Sequence, residues 1–313
     1  MSTQRVLVTG GAGTVGAAVV RRLLADAAFE VRVADRREAP VWIREGCEVH
    51  AGDLRDVNEA RRAVAGCSHV VHLAGIAADP AQPHSTLEAA GLDAVVLRAA
   101  LDHAIERFVY ASTAELYERA TVFPTPEEHL AECPAPGRAA AFAKLAGERL
   151  SRAAAEEHDL PLTICRLAAV YGPEGSDGAA GPASALNGVI RAAVAGERPV
   201  PLPGTAGQTC PPTHVADTAA GIVTALVHPA AGGETFNLVA TRELSLEAVA
   251  RSAWVVAGHD LADLAVSAGE PGPRLAPSPE KARRLLDWEA EIAFEAGVAT
   301  TVAWLRETEA VVS

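Results

Sequence analysis

Residues 6–16 read Val6-Leu7-Val8-Thr9-Gly10-Gly11-Ala12-Gly13-Thr14-Val15-Gly16. A short β-forming run enters a glycine cluster, and a helix-period pattern from Val15 to Ala27 leaves it. Gly10 permits a tight turn, Gly13 lets backbone approach a pyrophosphate, and Gly16 lets the helix pack closely on a sheet. The helix N-terminus then offers unpaired N–H groups and the positive end of its dipole to an anion. Asp35 closes the next strand 19 residues past Gly16. An acid there accepts hydrogen bonds from a ribose 2′-hydroxyl, which favours NADH. Arg36 and Arg37 follow at once and suit a 2′-phosphate, so NADPH stays open.

Outward from this turn the chain alternates strands and helices. Strands are predicted over 5–9, 30–34, 47–51, 69–73, 107–112 and 162–167. Helices are predicted over 15–27, 57–65, 92–105 and 139–158. Near-continuously apolar strands separated by helices predict a doubly wound parallel α/β sheet covered on both faces. Past about residue 170 the chain turns rich in Gly and Pro, with further helices over 217–227, 245–258 and 279–286. We therefore expect a nucleotide-binding part over 1–170 and a smaller substrate-binding part over 171–313, partly interleaved with the sheet. Loops 80–88 and 174–186 are expected to wall the ligand crevice, and Trp288 and Trp304 to lie in the core of the smaller part.

The 313 residues carry 27 basic and 40 acidic side chains, a formal charge of −13. That balance argues against nucleic acid and anionic membranes as partners. Five scattered cysteines without a Cys-x-x-Cys pair point away from a disulfide framework or a metal cluster and toward a reducing, cytoplasmic setting. The N-terminus enters its first strand with no room for a signal peptide. Only two of the basic residues are lysines, Lys144 and Lys281.

The Gly10-x-x-Gly13-x-x-Gly16 spacing resembles the extended branch of the short-chain dehydrogenase/reductases, and further matches run in order along nearly the whole chain. Gly52-Asp53-Leu54 is similar to a motif whose acid reaches the adenine. Leu73-Ala74-Gly75, after His72, is similar to the segment lining the cofactor, and Arg107 to Thr113 to the strand ending at the catalytic hydroxyl. Arg166 to Pro173, Thr213 to Asp217 and Glu234 to Leu238 match later family motifs. The resemblance implies a Rossmann-type fold and an NAD(P)(H) site. Gly10, Gly13, Thr14, Val15, Gly16, Asp35, Arg36, Arg37, Asp53, Leu54, Leu73, Ala74 and Gly75 would hold the dinucleotide. Thr113 and Lys144 would be the catalytic pair, with Lys144 on the nicotinamide ribose, and Ser112, Thr113 and Glu115 would face the substrate. A homodimer is the usual assembly in this branch.

The departures from the family pattern are chemical. Where the family carries Tyr-x-x-x-Lys, Ala140 stands four residues before Lys144, and residues 138–141 offer no replacement phenol. An active-site Asn is also missing, because residues 79–107 contain none. Cys210 occupies the place of the arginine that binds a nucleotide-sugar diphosphate, and a neutral thiol cannot pair with phosphate bidentately. Thr113-Ala114-Glu115 lacks the Asp of the sugar dehydratases. The sequence therefore predicts an NAD(P)H-dependent ketoreductase for a small, non-nucleotide, hydroxyaromatic substrate, as in the atypical members that tailor aromatic polyketide antibiotics. The proton would come from the substrate's phenol or from water, with Glu115 the candidate side chain. The alternatives are a nucleotide-sugar epimerase or dehydratase that binds the diphosphate through Arg191 or Arg198, and a retired enzyme that senses dinucleotide.

Overall fold

The computed structural model describes residues 3–75, 84–129, 138–173, 182–267, 269, 272 and 274–312. Seven strands form one parallel sheet: β1 (Gln4–Thr9), β2 (Phe29–Asp35), β3 (Glu48–Ala51), β4 (His69–His72), β5 (Arg107–Thr113), β6 (Leu162–Leu167) and β7 (Thr235–Leu238). Their spatial order is β7-β6-β5-β4-β1-β2-β3, so the order reverses beside β1, where such sheets open a ligand crevice at their carboxyl ends. The helices are α1 (Thr14–Leu24), α2 (Val41–Gly46), α3 (Val57–Val64), α4 (Ser85–Leu101), α5 (Ala139–His158), α6 (Pro182–Val194), α7 (Val215–Val227), α8 (Leu246–Val256), α9 (Glu280–Leu286) and α10 (Phe294–Val312).

The two faces of the sheet have separate cores. Val6, Val8, Val33 and Val109 pack with α1 and α7 on one side; Leu7, Val70, Phe108 and Tyr110 pack with α3 and α4 on the other. Burying each such side chain contributes about 1.5–3 kcal/mol relative to leaving it in water. A third core joins α6, α8 and α10 around Trp254.

All six predicted strands form, as does α5 with its predicted bounds. Other features differ from expectation, among them helices α6 and α10, which no predicted element anticipates. Helix α4 begins at Ser85, seven residues before its predicted start, because Gly91 lies within it on an open face instead of breaking it. It ends at Leu101, and Ala104 adopts a positive φ of 44° inside the span predicted as helix. Trp288 belongs to the sheet's α1–α7 core, not to the smaller part: its Nε1 donates to the Asp217 carbonyl and its ring fills the space beside Gly221. Trp304 does lie against the third core. The edge strand β7 and helix α7, both from the second half of the chain, complete the sheet and one of its faces. Of the expected crevice walls, residues 80–83 and 174–181 lie outside the described residues, as does Cys133. Residues 85–88 and 182–186 form the first turns of α4 and α6 instead of loops, and none of 85–88, 185 and 186 lines the crevice. Among the described residues no helix is long and apolar enough to cross a membrane.

Candidate active site

A cavity of about 440 Å³ opens at the carboxyl ends of the strands, a size typical of small-molecule and cofactor sites. Every residue that the sequence assigns to cofactor, carbonyl or substrate lines it, from Gly10 through Asp35 and Asp53 to Ser112, Thr113, Glu115 and Lys144. Ala140 lines it as well.

At the dinucleotide end, Gly10 turns with φ +71°, and a Cβ there would lie 2.8 Å from the Ala74 nitrogen. A Cβ on Gly16 would overlap the Gly10 carbonyl, so the helix can approach the strand only without one. Gly13 caps α1 with no side-chain hydrogen bond, which leaves the first N–H groups of that helix facing the cavity. By contrast, Asp56 caps α3 and consumes its donors. This cradle fits a dinucleotide pyrophosphate.

Asp35 ends β2 with Oδ2 accepting the Ala12 N–H at 3.0 Å and Oδ1 accepting the Arg37 N–H at 3.0 Å. Its carboxylate is thereby aimed at the ribose end of the crevice. The Arg37 guanidinium also reaches Asp35 at 3.4 Å and lies across Gly13. Asp53 is held by Arg55, with a closest contact of 2.6 Å, and this hydrogen bond draws its carboxyl below the usual carboxylate range. Arg55 reaches Glu88 of α4 in turn, tying two cavity walls together.

At the other end of the cavity, β5 delivers Ser112 and Thr113. Ser112 Oγ is buried and finds no hydrogen-bond partner among the described residues. Thr113 Oγ1 accepts the Glu115 N–H at 3.2 Å, which leaves its proton to donate into the cavity. Glu115 follows on a short 3₁₀ turn, Ala114–Tyr117. Burial pushes its carboxyl above the ordinary range, opposed by Arg138 and assisted by Glu118.

Helix α5 carries Lys144 one turn after Ala140, so both face the same wall. The helix is bolted to β6 by a buried pair: Arg166 donates to both oxygens of Glu148, at 2.9 and 2.8 Å, and to Tyr117 Oη at 2.6 Å. Lys144 Nζ lies 4.8 Å from the centre of the Tyr110 ring. Tyr110 Oη donates to Asp93 Oδ2 at 2.6 Å, so this buried phenol is committed to a carboxylate and does not replace the missing one.

Asp93 is a cavity-lining residue that the sequence motifs do not reveal. Its sequence signal is a lone acid inside the apolar run Leu92-Asp93-Ala94-Val95-Val96, where an unpaired carboxylate is costly and a partner is to be expected.

The place expected for a diphosphate holds Cys210, Glu243 and Arg274. Cys210 sits in a two-residue strand paired antiparallel with Leu244–Ser245. Burial, aided by Glu243, pushes its thiol up to about 12. Glu243 accepts from Thr209 Oγ1 at 2.8 Å and pairs with Arg274 at 2.8 Å. Of the two arginines considered as substitutes, Arg198 pairs with Asp263 and stacks over Trp254, and Arg191 is exposed on α6. Neither lines the cavity.

The sequence model of the NAD dependent epimerase/dehydratase family matches residues 6–238. The chain belongs to that family. It is 30% identical to a UDP-glucose 4-epimerase of Azospirillum brasilense, over 98% of this chain and 94% of the relative. A dTDP-glucose 4,6-dehydratase of Streptomyces niveus is 28% identical with the same coverage. A UDP-glucose 4-epimerase of Thermus thermophilus, solved in complex with NAD, superposes with a TM-score of 0.79 at 26% identity, over 97% of this chain and 99% of that one. Members of the family are NAD-dependent enzymes, and the glycine cradle with Asp35 beside it fits that cofactor.

Proposed function

We propose that this chain is an NAD(H)-dependent oxidoreductase that reduces a carbonyl on a small substrate carrying no nucleoside diphosphate, with hydroxyaryl ketones the best-fitting class. The observation that carries this reading is Ala140 on the cavity wall that also holds Lys144 and Thr113, one helical turn before the lysine. The redox half of the site is retained and the phenol that would protonate an alkoxide is missing. Bound dinucleotide supplies the hydride. Thr113 Oγ1, already accepting from backbone, donates to the carbonyl oxygen and polarises it. Lys144 holds the nicotinamide ribose, and Ser112 Oγ offers a further polar contact.

The proton has two sources consistent with this cavity. A phenol hydrogen-bonded to the ketone carries its own, already within transfer distance. Glu115 is the side chain able to store one, since burial favours its protonated form. NADPH is the second cofactor to test, because Arg36 and Arg37 line the ribose end.

The relatives favour a second reading, a nucleotide-sugar epimerase or dehydratase, since those compared are named for UDP-glucose and dTDP-glucose chemistry. Against it stand the Cys210 thiol beside the Glu243 carboxylate and the missing tyrosine. The test is NADH and NADPH absorbance with a panel of hydroxylated anthraquinone-type ketones, alongside product chromatography of UDP-glucose and dTDP-glucose, because epimerisation or dehydration of a sugar leaves the cofactor's net oxidation state unchanged. Oxidation of the reduced cofactor by ketones supports the proposal. Turnover confined to the sugars refutes it, and dinucleotide binding without any turnover indicates a retired enzyme.

A further inference from the structure

Beneath Lys144 lies a chain of buried polar groups that none of the roles above uses. Asp93, on α4, is 5% exposed, and His72, on β4, is 0% exposed. His72 Nε2 meets Asp93 Oδ1 at 3.0 Å, and His72 Nδ1 meets Thr9 Oγ1 at 2.7 Å. Thr9 Oγ1 also accepts the Ala74 N–H at 3.1 Å. Directions follow from valence. An ionised Asp93 only accepts, so Nε2 carries a proton toward it, and the other ring nitrogen shares a hydrogen bond with the threonine hydroxyl. Tyr110 Oη donates to the other oxygen of Asp93. The carboxylate is therefore fixed by two donors, and through Thr9 it is tied to the Ala74 backbone on the cavity wall.

Room for this arrangement is made by Gly147, one turn after Lys144 on α5, where a Cβ would overlap Tyr110 Oη and Asp93 Oδ2. Burial pushes the Asp93 carboxyl up, but Lys144, His72 and Tyr110 together outweigh it and hold it below the ordinary range. The charge of Lys144 is prominent among those opposing influences, beside the hydrogen bond and charge of His72. Among the described residues, however, its ammonium has only the Tyr110 ring as a close polar contact, with no carboxylate within 4 Å. Its three donors remain for a ligand while the fixed charge acts from beneath.

We propose that Asp93 is a positioning residue: a preorganised counter-charge, set by the Thr9–His72–Asp93–Tyr110 chain, that steadies Lys144 against the cofactor ribose where a tyrosine would otherwise bracket it. This rests on the reading of Lys144 as the ribose-binding residue. The test is a double-mutant cycle on NADH affinity, followed by nicotinamide fluorescence, with Asp93→Asn, Lys144→Met and the pair. Each single change is expected to weaken NADH by about tenfold, and the double variant is expected to bind no more weakly than Lys144→Met alone. Tyr110→Phe, which removes one donor and keeps the ring, is a milder probe should Asp93→Asn fold poorly. It is expected to weaken NADH about threefold in the parent and not at all in the Lys144→Met background. Additive losses from either pair, or an unchanged affinity in Asp93→Asn, overturn the inference while leaving Lys144 in its role. An unchanged affinity in Lys144→Met removes that role and the inference with it.

Discussion

Restoring the missing phenol separates the two proton sources. Ala140 is the second residue of α5, exposed to the cavity and one turn before Lys144. In Ala140→Tyr the new side chain enters the cavity on the Lys144 side, from a position that is already exposed. A positioned general acid contributes about 100- to 10,000-fold to such a step. At about 1.36 kcal/mol per tenfold, that lowers the barrier by about 2.7–5.4 kcal/mol. The gain is realised only where the proton is otherwise missing. With a hydroxyaryl ketone, whose own phenol protonates the alkoxide, single-turnover NADH oxidation should change by less than about threefold. With the O-methyl ether of the same ketone, the parent protein should be nearly inactive and Ala140→Tyr should recover at least about 100-fold. Stopped-flow absorbance under saturating NADH measures both. Equal acceleration of phenol and ether would refute the reasoning, as would a parent protein that reduces the ether as fast as the phenol.

Further expectations concern the cofactor end, the acid and the scaffold. Asp35→Asn should weaken NADH by about tenfold and narrow its advantage over NADPH, as read by fluorescence titration of both; an unchanged preference would detach Asp35 from the ribose. Glu115 has a folded-state carboxyl raised above its ordinary 4.5, so the folded state binds the proton more tightly than the unfolded one and stability from this group falls as pH rises through that window. Glu115→Gln should accordingly be more stable than the parent at neutral pH, with the gain vanishing below 4.5 in urea titrations; a gain that grows on acidification would reverse the sign. Glu148→Gln leaves the buried Arg166 charge without its bidentate partner and should cost about 3 kcal/mol in urea unfolding. A loss under about 1 kcal/mol would mean that the pair does not anchor α5.

The glycine turn is legible in the sequence because its constraint is local: Gly10 and Gly16 are forced by backbone that must pass within contact distance. Helix α5 can be placed to the residue because its alanine-rich stretch ends where Asp159 takes a left-handed conformation, with φ 54°. Lys144 stands out by rarity and Ala140 by comparison with it. What the sequence hides is what the third dimension assembles. His72 meets Asp93 across 21 residues of chain and Thr9 across 63, and no periodicity encodes such meetings. Trp288 falls in a different core from the one expected because its neighbour Gly221 belongs to α7, a helix that crosses back to the sheet. Helix α10 buries an apolar stripe of Phe294, Val298, Val302 and Leu305, but the alanines and threonines interleaved with it dilute that period in the sequence.

The central claim, that the family's redox site persists here without its diphosphate site, is tested most directly by calorimetric titration of the NAD-loaded protein with UDP-glucose. The thiol of Cys210 and the carboxylate of Glu243 predict no saturable binding below about 1 mM. A dissociation constant in the micromolar range would contradict the account.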